Sequence, residues 1–338
     1  MDLQEFCRAL PKIELHAHLN GSLSIETMKK LSQKKNSSEW NDYDIMALTK
    51  HSSLDECFKV FAIAHSLTDT PQAVSAATRD TIEEFYRDNV IYLELRSTPR
   101  AVEGKMTKMQ YVNAIISGIQ ASAIKCPNII VKLLISLDRK DPYEVARENA
   151  ELAISLHTKY PNYIVGIDLS GDPTKGDAYL HLLEQCRQVG LKISAHCGEV
   201  PNEMEIVDIL NFRPDRLGHC TAVHPHLRGS DYLYQMLLQS RIPVELCLTS
   251  NVKCKTVPSY EQHHFAYLYH ARHPICIATD DKGVFDTSLS MEYALVGKYF
   301  GLTQRQLKDI SLMSVQYAFG SDMEKSTLAQ AINAFPCY

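Results

Sequence analysis

His16 and His18 flank Ala17 in the largely apolar run from Ile13 to Leu19. Side chains alternate faces along an extended strand, so two histidines one residue apart point to the same side and can grip one metal ion. Such a pair is half a metal site and gains meaning only from further ligands, because single histidines often serve as hydrogen-bonding residues in cores and on surfaces. Candidate partners lie downstream: His196 and Glu199 in His196-Cys197-Gly198-Glu199, His219 at the end of Arg216-Leu217-Gly218-His219, and the pair Asp280-Asp281. Imidazoles with a carboxylate suit a borderline divalent metal, and the remaining histidine and carboxylates can move protons. Each residue also has an ordinary role open to it. Asp280-Asp281 can begin a turn, His219 can satisfy a buried carbonyl, and Glu199 can be a solvated loop residue.

The elements that would bring these residues together are short β-type runs at Ile13–Leu19, Val90–Leu95, Ile129–Leu137, Tyr163–Leu169, Leu191–Ala195, Arg216–Cys220, Pro243–Leu248 and Pro274–Ala278. Between them lie segments of helical periodicity, including Thr81–Tyr86, Tyr143–Tyr160 and Ala178–Val189. Near-continuously apolar strands alternating with helices indicate an α/β fold with a parallel sheet covered by helices, and eight such strands close naturally as a TIM-type (β/α)8 barrel. An open doubly wound sheet is the competing arrangement, but no G-x-G-x-x-G turn follows the first strand and no Walker motif occurs. In a barrel the C-terminal strand ends meet above one cavity. His16 and His18 fall at the end of the first strand, His196 and Glu199 at the fifth, His219 at the sixth, and Asp280 and Asp281 at the eighth.

The interval from Gly21 to Asn89 is too long for one crossover helix. It predicts two or more helices joined by an exposed connector around the polar tract from Ser32 to Glu39. An insertion after the first barrel strand lies on the active-site face, where it can form a lid or pocket wall. From Ser288 onward the periodicity predicts helices closing the barrel, including Ser290–Tyr299 and Thr303–Phe319. With no domain boundary, repeat or low-complexity region, residues 1–338 read as one domain.

Of the 338 residues, 45% are hydrophobic and 22% charged, the composition of a soluble globular chain with a large core. A formal net charge of -5 without a basic block argues against nucleic-acid polymers as partners. The ten cysteines form no C-x-x-C pair and several sit in apolar strand-like runs, so they read as small core residues in a reducing compartment. The start, Met1-Asp2-Leu3-Gln4-Glu5, is acidic where a signal peptide would be basic, and no apolar run is long enough to span a bilayer. A cytosolic protein without a membrane partner is expected.

The full pattern resembles the adenosine and AMP deaminases of the metal-dependent amidohydrolase superfamily. The matching segments, in family order and across essentially the whole chain, are Leu10–Gly21, Gly166–Gly171, His196–Glu199, Arg216–His219, Cys247–Asn251 and Thr279–Asp281. The resemblance implies that His16, His18, His196 and Asp280 bind a single Zn²⁺, with water or hydroxide as the remaining ligand. This agrees with the donor chemistry, since an exchangeable position marks a catalytic site. It implies further that the hydroxide attacks C6 of a purine while Glu199 protonates N1. His219 and Asp281 would orient the water and handle its proton, and Gly171 would offer a backbone contact to the purine edge. The H-x-E…P-C-x-x-C signature of the cytidine and tRNA deaminases is absent.

Where adenosine deaminases carry aspartate in His-Leu-Asp-Gly, this chain has Asn20. An aspartate would repel a phosphate, whereas an asparagine is uncharged and can donate a hydrogen bond. At the end of the second strand, Ser97, Thr98, Pro99 and Arg100 offer two hydroxyls and a guanidinium able to bind phosphate in fork geometry. His65 lies on the insertion that should reach over the same pocket. Arg100 as a solvated loop residue and His65 as a helix-surface residue are the plain alternatives. The combination of these residues with the segments His196–Asn202 and Asp280–Phe285 resembles the adenosine deaminase-like subgroup, whose members convert N6-methyl-AMP to IMP and methylamine. The expected substrate is therefore a purine nucleotide, taken by a monomer. Preference for an N6-alkyl group does not follow from these residues, because it depends on pocket volume beside C6. Competing readings are an adenosine deaminase acting on the free nucleoside and another barrel amidohydrolase, often with two metals bridged by a carboxylate or a carbamylated lysine. A barrel kept only as a binding module would show a broken ligand set, and this set is intact.

Overall fold

Strands β1 (Lys12–His18), β2 (Val90–Ser97), β3 (Ile130–Asp138), β4 (Ile164–Ser170), β5 (Lys192–Cys197), β6 (Arg216–His219), β7 (Val244–Leu246) and β8 (Ile275–Ile277) form one sheet in sequence order. The computed structural model describes residues 1–35 and 54–337. Every neighbouring pair is parallel. The seam between β8 and β1 is closed just beyond β8, where Asp280 N–H donates to His16 O at 2.8 Å and His18 N–H donates to Asp280 O at 3.0 Å. Barrel closure thus falls on the residues with metal-binding side chains, as the (β/α)8 reading requires.

Alternation along the strands divides their side chains between two layers. Leu93, Leu95, Ile135, Ile167, Ile193, Leu217 and Ile277 are buried in the main apolar core, where the helices cover the sheet. Burying each such side chain contributes about 1.5–3 kcal/mol. The barrel interior carries an ionic network instead of the usual layers of branched apolar residues. Arg96 of β2 reaches Asp168 of β4 at 2.7 Å and Glu245 of β7 at 3.0 Å. Arg216 of β6 bonds the other oxygen of Glu245 at 2.6 Å and also pairs with Glu94 of β2. Arg216 and Glu245 stand on the adjacent strands β6 and β7, whereas the other pairs join strands that are not neighbours and can meet only inside the barrel. All five side chains are fully buried. The end of the helix Gln304–Tyr317 and the turn after it seal the floor: Tyr317 O accepts from Arg216 at 2.8 Å, Phe319 N–H donates to Glu94 at 2.6 Å, and the Arg216 guanidinium stacks 3.6 Å from the Phe319 ring centroid.

Among the described residues, the long interval after β1 holds the helices Ile25–Lys35, Leu54–Leu67 and Pro71–Arg87. Thr70 caps the last through the Ala73 N–H, and Pro71 occupies its first turn, where the missing N–H costs nothing. Leu23, Met28, Leu31, Val60, Ile63, Ala64 and Leu67 pack with Val284 and Phe285 into a core of their own, so the insertion rests on the loop after β8. The part of the expected connector from Asn36 to Glu39 lies outside the described residues. The C-terminal helices span Leu289–Phe300, Gln304–Tyr317 and Asp322–Ala334. Among the described residues no helix is long and apolar enough to cross a membrane.

One expected strand end is different. The run Pro243–Leu248 forms a strand only over Val244–Leu246, and Leu248–Lys253 turns into a helix that begins when the Thr249 N–H is taken by the buried carboxylate of Glu292 at 3.1 Å. That turn brings Ser250 to Asp280 at 2.6 Å and Asn251 to His219 at 3.0 Å.

Candidate active site

His16, at the end of β1, is held at Nδ1 by Glu245 Oε2 at 2.5 Å, so its Nε2 points upward, buried and without a hydrogen-bond partner. His196, at the end of β5, is held at Nδ1 by the Leu169 carbonyl at 2.7 Å, and its Nε2 lies 3.2 Å from His18 Nε2. Asp280 Oδ1 lies 3.3 Å from the Nε2 atoms of both His16 and His18. One donor atom from each of His16, His18, His196 and Asp280 thus lies within 4.8 Å of every other. Asp280 holds φ 63°, a left-handed conformation rare for aspartate, which fits a backbone constrained by seam and site together. Ser250 steadies its second oxygen at 2.6 Å.

This donor set fits a divalent cation on the structure's own evidence. Burial and Arg96 push His16 down, yet Glu245 and Asp280 overcome both and lift it to about 9, so the position attracts positive charge. Burial alone would raise Asp280, but His16, His219 and His18 hold it well below the usual carboxylate range. Fixing His16 and His196 at Nδ1 while their Nε2 atoms face the cluster is the arrangement that orients imidazole ligands toward a metal.

Around the cluster stand the groups that can handle protons. Glu199 follows β5 and is about one-fifth exposed, with Oε2 3.8 Å from His219 Nε2. Asp281 is buried with Oδ1 unpartnered; burial first, and the neighbouring negative charge of Asp280 second, lift its carboxyl well above the usual range. Gly21 makes room for it, since a Cβ there would lie 1.6 Å from Asp281 Oδ1. His219, at φ 62°, is brought down to about 4 by burial and is neutral at physiological pH. Gly171 at the end of β4 has φ 97°, and a Cβ would come within 2.0 Å of Asp138 Oδ1, so the turn requires glycine and sets Asp138 beside it.

On the insertion side, Asn20 Nδ2 donates to Tyr111 OH at 3.1 Å, and Ser97 Oγ lies 2.7 Å from the same phenol. The Arg100 guanidinium sits 5.4 Å from the Tyr111 ring centroid. Its Nη2 donates to Thr68 Oγ1 at 2.7 Å and to the His65 carbonyl at 3.1 Å, while Nε is buried and unpartnered. Pro99 is buried and Thr98 half-buried in the same turn. Asn20, Ser97 and Arg100 therefore converge, whereas His65 joins through its backbone and its side chain is exposed. Reasoning from sequence missed Tyr111, Thr68 and Asp138, together with Glu245, Asp168 and Arg96 beneath the cluster. A visible signal existed for the last group: charges at alternate positions inside apolar strand runs, as in Glu94-Leu95-Arg96.

A parallel eight-stranded barrel with three histidines and an aspartate converging at its C-terminal mouth, beside the carboxyl groups of Glu199 and Asp281, defines the metal-dependent barrel hydrolases. The chain belongs to the adenosine deaminase family, whose model, described as "Adenosine deaminase", matches residues 11–335. It is 45% identical over 334 residues to the human protein named N6-methyl-AMP deaminase, covering 97% of this chain and 94% of that one. It also resembles crystal structures of the Arabidopsis protein ADAL, complexed with GMP (TM-score 0.88) and with IMP (TM-score 0.86). Each is 37% identical and matches over 98% of both chains.

Proposed function

We propose that this chain is a hydrolytic deaminase of a purine nucleotide that converts N6-methyl-AMP and water to IMP and methylamine, with one Zn²⁺ held by His16, His18, His196 and Asp280. Zinc in that position would supply a nucleophile at neutral pH by lowering the pKa of coordinated water to about 7. Asp281, unpartnered and raised in pKa, accepts the proton released by the attacking water, and His219 orients the oxygen toward C6. Glu199 delivers a proton to N1, so the ring accommodates the new C6–O bond without building up negative charge. The C6–N6 bond then breaks and methylamine departs with a proton. The Gly171 backbone faces the purine edge, and its compulsory glycine lets the ring approach closely.

The observation that carries the nucleotide reading is the convergence of Asn20, Ser97 and Arg100 around Tyr111. There an uncharged amide, a hydroxyl and a guanidinium with a free buried Nε form a phosphate-compatible corner two residues from the His18 ligand. Thr98, Pro99 and His65 complete its wall. Full-length relatives named for N6-methyl-AMP, and a relative crystallised with GMP and with IMP, support the same choice. The test is to incubate the zinc-loaded protein with N6-methyl-AMP and quantify both products. IMP and methylamine in equal amounts are expected. Absence of both, or faster release of ammonia from adenosine, would overturn the reading.

A further inference from the structure

Behind His219 lies a buried chain of donors and acceptors that its place in the pocket does not explain. It begins at the backbone N–H of Phe265, which points at His263 Nδ1 over 3.0 Å. A backbone amide can only donate, so His263 Nδ1 is bare. Burial, with His264 and His219 nearby, keeps this ring neutral, and its one proton sits on Nε2. That proton faces Asn251 Oδ1 over 3.1 Å, which fixes which end of the carboxamide is oxygen. The other end, Nδ2, lies 3.0 Å from His219 Nδ1. An amide nitrogen only donates, so His219 Nδ1 must be bare too. His264 adds a second restraint by donating from Nε2 to the His219 carbonyl at 2.6 Å. His219, Asn251, His263 and His264 are each at most 2% exposed, so water does not compete for these contacts.

We propose that Asn251 and His263 are positioning residues that hold His219 with its ring proton on Nε2, making it a hydrogen-bond donor toward the reacting centre and not a base. Nε2 lies 3.8 Å from Glu199 Oε2 and 3.9 Å from Asp280 Oδ2, on the side where the attacking oxygen must stand. A ring nitrogen that carries a proton has no lone pair with which to accept another. The proton released as water adds to C6 therefore goes to Asp281, and His219 Nε2–H donates to the oxygen and aims its remaining lone pair at the ring. This division of labour rests on the deaminase reading, whereas the proton's location on His219 does not. Flipping the Asn251 amide would set its NH2 against the His263 N–H and its oxygen against the bare His219 nitrogen, two buried mismatches created at once.

The decisive experiment records long-range ¹H–¹⁵N spectra of the zinc-loaded full chain with ¹⁵N-labelled histidine, the His219 ring being assigned by its loss in His219→Gln. The Nε2–H pattern is expected in the parent protein. In Asn251→Asp the carboxylate can only accept, so the proton should appear on His219 Nδ1, with kcat lower by roughly 10- to 100-fold, KM within about threefold, and zinc retained. His263→Phe removes the donor that orients Asn251 and should give a mixture of the two patterns. An Nδ1–H pattern in the parent protein, or an unchanged His219 in Asn251→Asp, overturns the proposal. The parent spectrum decides even where a variant fails to fold. Because no substrate is present, an Nε2–H pattern in a protein inactive on N6-methyl-AMP would sink the substrate reading and leave this one standing.

Discussion

On the metal-donor side, His16 and His196 are each anchored at Nδ1 by a buried acceptor, and Glu245, the anchor of His16, is itself tied to Arg96 and Arg216 inside the barrel. On the insertion side, Asn20, Ser97 and Arg100 meet through one phenol and through carbonyls near a helix end, over a small apolar core separate from that of the barrel. The first half is fixed from below by strands, the second from the side by helices laid across the mouth. The difference teaches where change is tolerated. The reacting centre cannot move without disturbing a closed ionic network, whereas the corner around Tyr111, proposed to receive the 5′ phosphate, can be retuned by single residues.

Breaking the network should have the largest effect. Glu245→Gln leaves Arg96 and Arg216 short of a buried counter-charge and loosens His16. A loss of about 3–5 kcal/mol in urea unfolding is expected, with zinc affinity down roughly 10- to 100-fold in competition with a chelator. Next, Glu199→Gln removes a proton donor and leaves the fold alone, so kcat should fall by about 10²–10⁴ while the unfolding midpoint stays in place. On the insertion side Arg100→Ala should act on substrate choice. It removes a charged hydrogen bond of about 1.5–3 kcal/mol from nucleotide turnover, with little change for the nucleoside. Equal losses on both substrates would erase the contrast between the halves. His65→Ala should be the mildest, within about threefold in kcat/KM, because its backbone makes the contact to Arg100 and its ring is exposed.

The strands were legible because both sheet faces are covered, which leaves near-continuous apolar runs, and the metal donors were legible because they stand at the ends of those runs. The interior network was harder to read. Its partners are 72 to 149 residues apart along the chain for Arg96 with Asp168 and with Glu245, and no local pattern pairs them. The strand read over Pro243–Leu248 stops at Leu246, and the chain turns into the helix Leu248–Lys253 where Glu292, from a distant helix, takes the Thr249 N–H. Tyr111 shows the same limit: it is one apolar position in the helix Lys108–Ser122, and only the barrel's curvature brings its hydroxyl to Asn20 and Ser97.

The central claim is that this metal site serves a nucleotide. Comparing kcat/KM for N6-methyl-AMP and N6-methyladenosine changes the phosphate and nothing else. In the parent protein the nucleotide should be favoured by at least about 100-fold, the order expected for charge-assisted contacts at a phosphate. Asn20→Asp, which sets a negative charge beside that phosphate, should cut the ratio by roughly tenfold or more. A parent protein that turns over the nucleoside as well as the nucleotide would contradict the claim.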